Sequence, residues 1–155
     1  MFVCAAGDGT APSPMYEYFD HTADVGIRIE ADTLEAALAD AGSAFSALVV
    51  ENLDAVRPVD EVRIELPAPD ETDDALDYLL FDWLAALLLE FESTRRIFCE
   101  FVVRSTPEGI VADVRGEPLD PDRHRLGHEV KAITYHQLEF RRTDRGYSGR
   151  VIVDL

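Results

Sequence analysis

A chain of 155 residues with 47% hydrophobic content supplies enough apolar side chains for one core and is short for two domains. It contains no run approaching the ~20 apolar residues of a membrane span, and two cysteines, Cys4 and Cys99, make no disulfide framework. Acidic residues outnumber basic ones 31 to 14, a net charge of −17, which argues against direct nucleic-acid binding because a polyanion is repelled.

That charge has two accounts: solubility or adaptation to a salty cytoplasm, and attraction to cations or to a basic partner protein. Met1 to Pro14, rich in Ala, Gly and Pro, reads as a flexible leader outside the fold. It lacks the cationic start and apolar run of a secretion signal, so a cytoplasmic location is expected. Tyr16, Tyr18 and the stretch Val25 to Glu30 alternate as strands do, with Phe-Asp-His-Thr-Ala-Asp between them. Asp32 is the predicted cap of a first helix, with Glu35 completing a capping box. Leu34, Leu38, Ala41, Phe45 and Leu48 then carry that helix to about Val50.

Residues 53–58 read as a linker and Glu61 to Leu66 as a half-exposed strand. The Pro- and acid-rich loop 67–74 ends on Asp73 or Asp74, either of which can cap the next helix. Along that helix Leu76, Leu79, Leu80, Trp83, Leu84, Leu87, Leu88 and Phe91 form a broad apolar stripe, so it should be central. Ile97 to Arg104 and Gly109 to Arg115 flank a Ser-Thr-Pro-Glu turn and predict a hairpin, with Cys99 a small buried hydrophobe inside it. A loop over 116–124 precedes a second hairpin, Val130 to Arg142 with Tyr147 to Asp154. The predicted fold is a single α+β domain over 15–155. Two helices pack against a largely antiparallel or mixed β-sheet arrangement of about seven strands.

Three segments can carry chemistry. In Asp20-His21-Thr22-Ala23-Asp24 the carboxylates suit hard oxygen ligation and His21 a ligand or base; an Asx-type turn is the alternative reading. In Glu129 to His136, alternation sends Lys131, Ile133 and Tyr135 to one face and Ala132, Thr134 and His136 to the other, taken as the inward one. There Thr134 and His136 are odd core residues. The third segment is Val151 to Leu155, where Asp154 and the terminal carboxylate crowd two anions, a cost that a cation relieves. Oxygen ligation by Asp24, Asp154 and Leu155 suits Ca²⁺ or Mg²⁺, and requires carboxylate oxygens of the two aspartates to stand within roughly 5 Å of each other. His124 and His128 stand four apart without a nearby third ligand, a poor zinc site. No Gly-rich phosphate loop or G-x-S-x-G elbow occurs.

In order, these segments resemble the archease family. The opening motif is Asp20-His21-Thr22-Ala23-Asp24-Val25-Gly26, with Asp20 where the family pattern has Glu. The second signature is Gly116-Glu117, Asp120 and His124, followed by Glu129-Val130-Lys131-Ala132-Ile133-Thr134-Tyr135-His136. The helical segment Leu79 to Leu84 and the ending Val151-Ile152-Val153-Asp154-Leu155 also fit, and residues 1–14 have no counterpart. The resemblance implies a small α+β domain binding a divalent cation, calcium before magnesium or manganese, through Asp24, Asp154 and Leu155. It implies a partner too: an RtcB-type RNA ligase, which takes GMP onto a histidine and seals RNA ends in tRNA splicing or repair. The family is understood to promote that guanylylation and multiple turnover without being catalytic itself. On this reading Lys131 contacts phosphate or the ligase, and Asp20, His21, Thr134 and His136 are candidate supports of the site. Two alternatives stand: a metal-dependent phosphoesterase with His21 or His136 as base, and a chaperone of a tRNA-modifying enzyme.

Overall fold

The computed structural model describes residues 15–21 and 24–155, excluding the His21 side chain. The predicted leader 1–14, Cys4, Thr22 and Ala23 lie outside the described residues. The strands are β1 (Tyr16–His21), β2 (Asp24–Ala31), β3 (Asp60–Pro67), β4 (Arg96–Thr106), β5 (Gly109–Pro118), β6 (Ala132–Thr143) and β7 (Gly146–Asp154); the helices are α1 (Leu34–Val49) and α2 (Ala75–Thr94). The strands form two sheets, ordered β1-β2-β7-β6 and β3-β5-β4, and every pairing is antiparallel. The predicted α+β domain is therefore right in kind, with its strands divided between two sheets.

The division follows from α1. Its sequence is small and apolar on nearly every side, so Leu38, Ala41, Ala44, Phe45 and Leu48 are all buried. A helix apolar all round has to be enclosed. Accordingly α1 touches β2 and β7 of one sheet and β4 of the other. Gly42 permits the close approach: a Cβ there would come within 2.7 Å of the Phe101 ring on β4. Helix α2 runs alongside β6, and its Trp83, fully buried, donates its indole N–H to the Leu38 carbonyl of α1 at 2.7 Å. That bond satisfies the one polar atom of the largest core side chain.

The cap of α1 differs from expectation. Thr33, in extended backbone conformation, is the N-cap and accepts the Ala36 N–H at 3.1 Å. Asp32 lies one residue too early to do so, and the Glu35 carboxylate instead accepts from the Ser105 hydroxyl of β4 at 2.5 Å. Asp74 occupies the cap position of α2, but its side chain makes no capping bond. Within the predicted linker, Leu53–Ala55 form one 3₁₀ turn, with Leu53 buried.

The inward face of β6 also differs. Ile133 faces the core at 7% exposure, while His136 is exposed and Thr134 half-buried. Thr134 and His136 therefore face outward. The register of β6 against β7 shifts between Thr134 and Glu139, and Gln137 adopts φ +55°, so strict alternation fails there. Just past the irregular stretch, the Asp77 carboxylate of α2 accepts the Phe140 N–H at 2.6 Å. Cys99 is buried at 2% exposure, as a small hydrophobe should be. No helix among the described residues is long and apolar enough to cross a membrane.

Candidate functional site

The start of β2, the end of β7 and the start of β6 meet at one end of the four-stranded sheet. Asp24 is the register partner of Asp154, and Asp154 of Ala132; on the other side His21 of β1 pairs with Asp24. Directly opposed residues on antiparallel strands share a face, with Cβ atoms about 4.5–5.5 Å apart. The core-facing residues of β2 are Ile27 and Ile29, so alternation puts Asp24 and Asp154 on the outer face. Both are half-buried.

Two further residues are brought here by backbone. The Lys131 N–H donates to the Asp154 carbonyl at 2.9 Å, which anchors an exposed side chain beside the pair. Lys131 is the chain's sole lysine. Leu155, half-buried, packs its side chain against the core.

The other named candidates separate. Asp20 pairs with Val25 and so lies on the face opposite Asp24. Thr134 donates its hydroxyl to the Ile152 carbonyl at 2.9 Å, and the His136 N–H reaches the Thr134 hydroxyl at 3.3 Å. The His21 side chain lies outside the described residues. No three His, Cys, Asp or Glu residues among those described converge to hold a metal. Any ion at this end would be held by the aspartate pair with backbone or terminal oxygens, a hard donor set.

The loop carrying Lys131 is tied down by a buried polar network. Glu117, at the end of β5 and 4% exposed, accepts from the Arg57 N–H at 2.8 Å, the Arg123 guanidinium at 2.6 Å and the Arg57 guanidinium at 3.1 Å. His124 is 3% exposed, with Nε2 3.0 Å from Glu117 and Nδ1 accepting the Asp120 N–H at 2.9 Å. Because Nδ1 accepts, the proton sits on Nε2 and is donated to Glu117. Both ring nitrogens of His124 are thus engaged inside the protein while His128 is exposed, which leaves His124 no nitrogen for a zinc ion. Burial alone would raise the Glu117 carboxyl, but the bonds from Arg57, Arg123 and His124 outweigh it and hold it down to about 2. From His124 the chain passes α1, where Gly127 and His128 donate their N–H groups to Val49 and Leu48 at 2.8 and 2.7 Å. These bonds satisfy the last carbonyls of the helix and aim the chain at Lys131.

Sequence reasoning noticed Glu117, Asp120 and His124 only as parts of a signature and did not foresee the network. A Glu-x₆-His spacing among Asp and Arg residues was the available signal; Arg57 and Asn52, whose amide donates to the Arg123 carbonyl at 2.9 Å, had none. A cavity of about 730 Å³ lies elsewhere. Ala31, Asp32, Asp40 and Tyr147 line it, at the far end of β2 and β7 from Asp24. There burial raises the Asp40 carboxyl against the opposing bond from the Met15 N–H.

A family model described as "Archease protein family (MTH1598/TM1083)" matches residues 16–155. The chain belongs to the archease family. Protein archease of Methanopyrus kandleri is 39% identical over 144 residues, covering 90% of this chain and 99% of the relative. Its Methanosarcina mazei counterpart is 34% identical over 145 residues, covering 90% and 95%. The solution structure of Methanobacterium thermoautotrophicum protein 1598 superposes with a TM-score of 0.71 at 29% identity, covering 90% of this chain and 98% of that one. A Thermotoga maritima archease, described as a possible chaperone, shares the fold at a TM-score of 0.63 and 22% identity, covering 88% and 94%. The expected family is thus established, and all four segments quoted from the sequence fall within the matched residues.

Proposed function

We propose that this protein is a non-catalytic partner of an RtcB-type RNA ligase, promoting its guanylylation and repeated turnover through a divalent-cation site at Asp24, Asp154 and Leu155. The observation that carries this reading is the pairing of Asp24 with Asp154 on one face. Two carboxylates held together by backbone register repel unless neutralised, and their oxygens suit Ca²⁺ before Mg²⁺ or Mn²⁺. A cation bound there supplies positive charge for phosphoryl oxygens. Asp24 and Asp154 hold that position from two adjacent strands, and Lys131 stands exposed beside it to meet phosphate or a ligase carboxylate.

The test is single-turnover guanylylation of a purified RtcB-type ligase with GTP, with and without the full chain. Stimulation should be strong with the natural sequence, nearly absent with Asp24→Ala or Asp154→Ala, and reduced with Lys131→Ala. Full stimulation by a folded Asp24→Ala/Asp154→Ala chain would remove the cation site from the mechanism. Hydrolysis of a generic phosphoester by the chain alone would favour the phosphoesterase reading instead. The chaperone reading draws on the description of the Thermotoga protein, and predicts protection of a client enzyme from aggregation whether or not the aspartates are intact.

A further inference from the structure

On the three-stranded sheet the arginines and carboxylates neutralise one another. Asp113 pairs with Arg63 and Arg104, Glu61 and Glu100 with Arg115, and Asp60 with Arg96. The surface of α2 is different. A groove of about 380 Å³ between the end of β3 and the first turns of α2 carries Asp70, Asp74 and Asp82, with Tyr78 as one wall and no Lys or Arg in its lining. None of these three aspartates forms an ion pair among the described residues. Asp74 sits at the helix cap without capping. Bonds from the Thr72 hydroxyl and N–H hold the Asp70 carboxyl below its usual range, so it stays charged.

Beside the groove is an uncovered aromatic surface. Tyr78 is 49% and Tyr135 of β6 60% exposed. Tyr135 stacks on Phe81 with ring centroids 4.0 Å apart and planes 9° from parallel, and Tyr78 meets Tyr135 edge-on at 6.0 Å. Exposed aromatic clusters of this kind mark contact surfaces, and tyrosine with arginine dominates such contacts energetically. The carboxylates do not converge as metal ligands do, and the groove is larger than a bare ion needs. A planar guanidinium can stack on an aromatic ring and pair with a carboxylate at once, which an ammonium does less well. The net charge of −17 attracts a basic partner over distance.

We infer that the Tyr78–Phe81–Tyr135 surface and its flanking groove form a docking site for an arginine-bearing segment of a basic partner protein. This inference stands on the α2 surface and does not depend on the ligase or on the cation site. The experiment is fluorescence anisotropy of the full chain with two labelled peptides, one carrying six arginines spaced by serine and the other six lysines in the same places. The arginine peptide should bind at least about five-fold more tightly than the lysine peptide of equal charge. Tyr78→Ala/Tyr135→Ala should abolish that preference with no change in circular dichroism, whereas Tyr78→Phe/Tyr135→Phe should retain it. Asp74→Asn/Asp82→Asn should weaken both peptides. Equal binding of the two peptides, or a preference that survives the alanine pair, would mean diffuse charge attraction and overturn the site. Dimerisation of the natural chain that the alanine pair abolishes would overturn it equally, by assigning the surface to a second copy.

Discussion

Asp24, which opens β2, and Asp154, which closes β7, stand directly opposite each other although they lie near opposite ends of the chain. Backbone pairing, and not a flexible loop, sets their separation. Like charges directly opposed across a sheet destabilise it by a few tenths of a kcal/mol to about 1 kcal/mol.

Asp154→Asn should therefore leave the fold intact and raise the melting temperature slightly in metal-free buffer, within about 1 kcal/mol of stability. Added Ca²⁺ should stabilise the natural chain and not the variant. Thermal melts with and without Ca²⁺ measure both. An equal Ca²⁺ shift in the two proteins would place the ion elsewhere.

Glu117 should matter far more to folding. Glu117→Ala leaves the buried His124 N–H and the Arg57 N–H without their acceptor, and should cost about 3–5 kcal/mol in urea denaturation. The pH dependence has a defined sign. The folded carboxyl, held down to about 2, lies below its ordinary 4.5. Its contribution is therefore complete above about pH 4.5 and lost as pH falls from there toward 2. Urea midpoints across that window should fall steeply in the natural chain and less in Glu117→Gln.

Two glycines separate backbone from side-chain crowding. A Cβ on Gly116 would lie 1.7 Å from the Ile97 carbonyl oxygen, within the β4–β5 pairing. A Cβ on Gly26 would lie 2.0 Å from Phe19 Cζ, the far end of a ring that can swing away. Gly116→Ala should cost more than about 4 kcal/mol, and Gly26→Ala about 1–3 kcal/mol. Comparable losses for both would show the Phe19 ring to be as immovable as backbone.

Electrophoretic mobility shift of tRNA by the isolated chain tests the charge argument. At net charge −17, no shift is expected at physiological salt up to micromolar protein. Submicromolar binding without a ligase would favour an RNA-handling enzyme.

What the sequence by itself determined was local. Period-two alternation located the strands and the 3.6-residue stripe of Leu79, Leu80, Trp83, Leu84 and Leu87 located α2, because burying one face imposes those periods wherever the partner surface lies. The motif residues pointed to the family for a similar reason: their types and order are properties of the chain alone. Tertiary structure decided the rest. Thr33, not Asp32, caps α1, since a cap depends on one residue's backbone angles, and two adjacent polar residues look alike in sequence. Which face of β6 turns inward was decided by packing, with Ile133 buried and Thr134 and His136 on the outer side, and the irregularity after Thr134 left Tyr135 exposed, since a register shift arises from pairing with β7 and not from β6 itself. The division into two sheets depended on α1 being enclosed from both sides. The Glu117 network joins Arg57, Arg123 and His124 from separate segments, and the Asp24–Asp154 pair joins the first described hairpin to the final strand. Such contacts form only when strands distant in the chain pair, and no local period encodes which strands those will be.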